Sequence, residues 1–132
     1  MAHLISFTTS RFDVRAERQN PINPFAGQSV LNWLRGELAN EGFQSTEPDT
    51  EDWGWYMDVH GAGGSYMVGA SADADPEGDE VPWVVQVHKH RSMTDKLLGR
   101  NAMSDDDPLA TAIERLVRSD SRIVDVEIER ET

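Results

Sequence analysis

The chain contains no cysteine. Disulfides, zinc–thiolate sites and thiol nucleophiles are therefore excluded, and the absence suits a reducing compartment. Positive charge is scarce: 12 Lys and Arg stand against 24 Asp and Glu, a formal net charge of -12. Such a polyanion repels nucleic acid unless it carries a local basic stripe, whereas a basic protein is drawn to it. No apolar run approaches the ~20 residues that cross a bilayer as a helix. The opening stretch MAHLISFTTSRFD has no basic segment before its apolar run, so no signal peptide is expected. These absences predict a cytoplasmic protein without a membrane span. A single α+β domain over residues 1–132 is long enough to bury a core unaided.

What is present organises into a few periodic segments. His3 to Thr9 alternates as a strand, with Ile5 and Phe7 on one face. Asn23-Pro24 fits a helix cap with proline in the first turn, leading into a helix to Glu41 whose apolar face carries Val30, Leu31, Leu34 and Leu38. Gly42 is a natural stop, with Phe43 folding back on the last turn. Trp53 to His60 reads as a strand with Trp53, Trp55, Met57 and Val59 on one face and Gly54, Tyr56, Asp58 and His60 on the other. Glycines 61, 63 and 64 supply a hairpin turn to Ser65–Ala72, and Trp83–His90 closes an antiparallel meander.

Asp107-Pro108 repeats the cap-then-proline device before a helix with Leu109, Ala112, Ile113, Leu116 and Val117 as its stripe and a Glu114–Arg118 pair on its surface. Arg122 to Arg130 is a half-buried strand, with Val124, Val126 and Ile128 alternating with acids. The expected order is β-α-β-β-β-α-β: a mostly antiparallel sheet with both helices on one face, for which a ferredoxin-like variant is one solution.

Motifs that carry chemistry are few. His88 and His90 share a strand face and would need a third ligand such as Asp58 or His60 to hold a metal; no HExxH or EF-hand pattern supports one, so no metal or other cofactor is expected. The segment 88–100 has four Lys or Arg against one Asp, and His88, Lys89, His90, Arg91, Lys96 and Arg100 form an alternative anion-binding set. Internal pairing with acidic loops accounts for the same cations. No nucleophile elbow or phosphate-cradling glycine motif occurs, and no catalytic residue is assigned. Acids are the conspicuous resource. Glu51 and Asp52 precede the aromatic strand, and Asp73, Asp75, Glu77, Asp79 and Glu80 crowd an eight-residue loop. With Tyr56 they make a candidate partner-binding set, an aromatic centre with a carboxylate rim.

The run EDWGWYMDVHGAGGSYMVG, preceded by NPINPFAGQSVLNWL, resembles a group of small acidic bacterial proteins that share an aromatic strand after an amphipathic helix. In size and charge the chain is also similar to bacterial immunity and antitoxin-like proteins, which cap a basic toxin surface. Neither resemblance carries over a site residue. Together these readings favour a non-enzymatic protein-binding module, an acidic inhibitor or immunity-type protein. A small-ligand domain or enzyme at residues 88–100, and a homo-oligomeric structural protein, are the alternatives.

Overall fold

The computed structural model describes residues 2–131, for Glu131 the backbone only. Its long elements are β1 (Ala2–Thr9), α1 (Gln28–Ala39), β5 (Gly54–Gly61), β6 (Gly64–Asp73), β7 (Val81–Lys89), α3 (Pro108–Ser119) and β8 (Ile123–Glu131). Shorter pieces are a 3-10 turn (Val14–Ala16), β2 (Phe25–Ala26), β3 (Gln44–Ser45), β4 (Asp49–Glu51) and α2 (Met93–Leu97). The fold is mixed α+β. Eight strands form one sheet with the path β3-β5-β6-β7-β1-β8, while β4 pairs with β5 and β2 with β6; every pairing is antiparallel.

Two crossovers carry the helices. The connection from β7 through α3 to β8 spans β1 and joins strands that run in the same direction. The connection from β1 through α1 to β5 joins strands that run oppositely, three places apart. A ferredoxin-like βαβ unit would join parallel strands there; the third strand of the meander reverses the direction.

The core is one layer deep between helices and sheet. Val30, Leu31, Leu34 and Leu38 of α1 and Leu109, Ile113 and Val117 of α3 are fully buried. They meet Ile5, Phe7, Trp55, Met57, Val59, Val68, Trp83, Val85 and Val87, the alternate residues of four strands, in one continuous cluster. Trp55 and Trp83 are its largest fully buried members.

Helix termini differ from expectation in an instructive way. Asp107 caps α3 through Oδ2, which accepts from Leu109 N and Ala110 N at 3.1 Å, and Pro108 occupies the first turn. Asn23-Pro24, by contrast, does not cap α1. Pro24 leads into β2, and Asn23 donates its side-chain amide to the Asp52 carbonyl at 2.7 Å. The cap comes from ten residues upstream. Glu17 accepts from the backbone N–H of Gly27, Gln28 and Ser29, each at 2.9 Å, so a carboxylate sits at the positive end of the helix dipole. Helix α1 stops at Ala39; Gly42 takes φ +88° and the Phe43 N–H returns to the Leu38 carbonyl, the closure that a left-handed glycine allows.

Two surface expectations also change. Glu114 pairs with Arg130 at 3.3 Å rather than with Arg118. The register of β8 against β1 slips between the partners of Ser6 and Thr8, Glu127 and Val124, and Asp125 takes φ +55°. This bulge throws Val124 out of phase with Val126, leaving Val124 45% exposed while Ile123 is buried.

Asp107 also ties α3 to the sheet. Its Oδ1 accepts from the Tyr66 hydroxyl at 2.9 Å and lies 3.8 Å from Lys89 Nζ, and both Asp107 and Tyr66 are 1% exposed. Burial, then the hydrogen bond to Asp107 and its charge, hold the Tyr66 phenol well above its ordinary pKa. Replacing Asp107 by Ala removes the cap and strands two buried partners, so a loss of about 3 kcal/mol is expected; Tyr66→Phe should cost only about 1 kcal/mol. Urea midpoints at unchanged m measure both.

At the far end of α3, Asp120 accepts from Arg122 Nε and N, and its Oδ2 lies 3.1 Å from Arg11 Nε. The hydrogen bonds from Arg122 hold its carboxyl below the usual carboxylate range. A depressed carboxylate stabilises the fold fully above its unfolded value and less as pH falls through the folded one. Asp120→Asn should therefore narrow its stability deficit below about pH 4, measured by urea titration across pH.

Candidate docking surface

Strands β4 and β5 form a hairpin whose two-residue turn is Asp52–Trp53, with Glu51 opposite Gly54. Gly54 opens β5 at φ +153°, and a Cβ there would lie 2.5 Å from the Ala70 carbonyl oxygen. Only glycine fits. The turn breaks the alternation that would set Trp53 beside Trp55. Trp55 enters the core and donates its indole N–H to the Phe25 carbonyl at 3.2 Å. Trp53 goes to the opposite, helix-free side, where a Cβ on Gly69 would fall 2.4 Å from its Cη2. The expectation that the two tryptophans share a face is corrected: Trp53 belongs to the turn, so strand phase is counted from Gly54.

The helix-free side is read from the registers. One row across the strands runs Asp49, Tyr56, Gly69, Gln86, Leu4 and Glu129, and the next runs Asp58, Met67, His88 and Ala2. A third row holds Ser71, Val84, Ser6 and Glu127. Carboxylates therefore mark both margins, Asp49 and Asp58 on one and Glu127 and Glu129 on the other. Trp53, Tyr56, Met67, Leu4 and Val84 lie between them. Among the described residues, no strand Lys or Arg faces this side. Lys89 and Arg130, the strand cations, are in phase with Val87 and Ile128 on the helix side.

One end of this face is organised by a loop that sequence reasoning treated as a connection. Asn20 is 5% exposed and donates its amide to the carbonyls of Glu51 (3.0 Å) and Gly54 (2.9 Å), while its Oδ1 accepts from Ile22 N at 2.8 Å. Asn23 holds the Asp52 carbonyl, and the Pro24 carbonyl accepts from Ala74 N at 3.3 Å. The loop 20–24 thus clips the Asp52–Trp53 hairpin turn to the start of the acidic loop. Two apolar side chains stand out of this clip, Ile22 at 51% and Phe25 at 39% exposed. The signal in the sequence was the pair of asparagines beside prolines, which reads equally well as an ordinary turn.

The candidate partner-binding residues are brought to this end. Glu51 and Tyr56 lie on the helix-free side, Asp52 is in the turn, and Asp73 ends β6. Asp75, Glu77, Asp79 and Glu80 are exposed in the following loop, which Pro76 anchors by being buried and by accepting from Arg15 at 2.7 Å. Two exposed cations stand at this end: Arg15 donates to that carbonyl and Arg18 lies over Trp55, 5.2 Å from its centroid, and both line a depression with Phe25 and Asp75.

The alternative basic set sits at the opposite end and faces several ways. His88 lies on the helix-free side, its Nε2 2.8 Å from Gln86 Oε1, and Lys89 points inward to Asp107. His90 is past the strand end, and Arg91 donates to the Arg100 carbonyl at 3.0 Å. Lys96 and Arg100 are exposed. A depression of about 370 Å³ collects Lys89, His90 and Arg91 beside Gly63 and Gly64, but Asp95 lines it too. Backbone hydrogen bonding at the Ser92 cap holds the Asp95 carboxyl below its ordinary pKa, so the depression carries an anion of its own. Among the described residues no three His, Asp or Glu are grouped to hold a metal ion. No helix there is long and apolar enough to cross a membrane.

No protein-family model, curated protein or solved structure matches this chain.

Two substitutions test the geometry. Gly69→Ala should displace Trp53 from the sheet at a cost of about 1–3 kcal/mol and shift its fluorescence to the red; in a Trp53→Phe background the shift should vanish. Asn20→Ala removes both hydrogen bonds that hold the Glu51 and Gly54 carbonyls to the loop and should cost about 2 kcal/mol, with faster amide exchange confined to the 51–54 turn.

Proposed function

We propose that the protein is a non-enzymatic binding module that docks a basic protein partner on its helix-free face and the acidic end of that face. The observation that carries this reading is the charge and apolar pattern of the surface. Trp53, Tyr56, Ile22 and Phe25 are at least partly exposed, carboxylates stand on both margins of the face, and among the described residues no strand Lys or Arg shares it. Apolar and aromatic side chains inside a charged rim are the usual anatomy of an affinity hot spot. The carboxylates speed the encounter with a cation-rich surface and reject an anionic one. In its most concrete form the module is an acidic inhibitor or immunity-type protein that covers the working surface of a basic partner.

The same pattern speaks against a homo-oligomer through this face, because two copies would bring their carboxylate margins together. The basic end offers less: its cations diverge, and one of them is committed to the buried Asp107.

The test is titration against the basic proteins encoded beside this one, at about 50 mM and about 500 mM salt. Binding should weaken steeply with salt, and Trp53→Ala together with Phe25→Ala should lose roughly a hundredfold. Salt-insensitive binding, or none to any of those proteins, overturns the proposal.

A further inference from the structure

The two edges of the sheet are treated differently. The outer edge of β5 is occupied by the chain's own β3 and β4, and β2 continues that row along β6. The opposite edge is β8, nine residues long, paired with β1 on one side and, among the described residues, with no strand on the other. A free edge is a row of backbone donors and acceptors able to take one more strand.

The side chains of β8 say which strand would fit. Beyond the bulge at Asp125, regular pairing with β1 begins at Glu127. Glu127 and Glu129 point to the helix-free side and are exposed, while Val126 and Ile128 point to the helix side and are only half-buried against the core. An added strand would lay its alternate side chains beside these two rows. Cationic residues would face Glu127 and Glu129, and apolar ones would finish the cover of Val126 and Ile128. A second copy of β8 fits badly, because its own glutamates would be brought beside Glu127 and Glu129.

We infer that β8 is a strand-addition site for an extended segment of a basic partner, one in which Lys or Arg alternates with apolar residues. This rests on the proposed basic-partner reading and extends it to the sheet edge, which shares Glu127 and Glu129 with the helix-free face. Recognition would combine backbone pairing along residues 126–131 with charge pairing on one side only.

The probe is a peptide of about ten residues alternating lysine and valine, with two isomers N-methylated on its odd or its even amides. All three carry the same charge, but each methylation pattern removes the donors of one peptide edge. The parent should bind the full chain, protect the 126–131 amides from exchange, and lose roughly tenfold with one isomer, as forfeited backbone hydrogen bonds require. Glu127→Lys with Glu129→Lys should abolish binding, whereas Trp53→Ala with Phe25→Ala should leave it unchanged. Equal binding of all three peptides, or protection elsewhere than β8, overturns strand addition, and so does no binding at all. The titration against folded basic proteins judges the docking face independently, since it requires no extended segment.

Discussion

Gly54 sets the phase of β5, and through it the division of the molecule into a packed side and a bare one. A side chain there would strike the Ala70 carbonyl, and φ +153° is open only to glycine, so the strand starts at this residue and nowhere earlier. Trp55, Met57 and Val59 then fall on the helix side and are completely buried. Trp53, left in the turn, is free to reach over to Gly69, the one position of β6 where the sheet surface is bare enough to receive an indole. A one-residue change of phase would exchange every inner side chain of β5 for an outer one, exposing Trp55 and burying Asp58. The candidate surface is therefore a consequence of the same constraint that builds the core.

Charge follows this division. With carboxylates in twofold excess, the fold has to keep them apart and wet. It puts them on the sheet margins, in the loop after β6 and along β8, and uses four of its ten arginines as local clamps on carboxylates. Arg11 and Arg122 meet at Asp120, Arg130 at Glu114 and Arg115 at Glu41. The exposed pairs among them contribute little to stability, but they withdraw cations from the helix-free side. What remains there is a negative field over an apolar centre. Such a surface is costly to leave bare only in proportion to its apolar area, and Trp53 limits that area by folding down on Gly69.

Legibility in the sequence tracked the range of the forces involved. The stripes of α1 and α3, the meander of β5 to β7 and the Asp107-Pro108 cap are local patterns of period 3.6 or 2, or pairs of neighbours, and each can be read without knowing what lies across the molecule. The features that were missed act over distance. Glu17 caps a helix ten residues away in place of Asn23; Asn20 holds a hairpin turn about thirty residues on; the bulge at Asp125 exists only because β8 must run beside β1. The same holds for the candidate site. Glu51, Asp52 and the acidic loop could be named from composition, but their meeting depends on the asparagine clip. The exposure of Ile22 and Phe25 depends on it as well.

The edges of the sheet complete the logic. A chain that covers one margin with residues 44–51 has the means to cover an edge, so the bare margin at β8 is protected by a different device. The bulge at Asp125 removes the first residues from regular pairing, and the glutamates beyond it repel like-charged strands, including another copy of β8. That defence is selective, because it does nothing against a strand bearing cations. An edge closed by proline or by a covering helix would be closed to every partner. An edge closed by charge is open to the opposite charge, and the side chains that keep this protein from pairing with itself also define what it would accept.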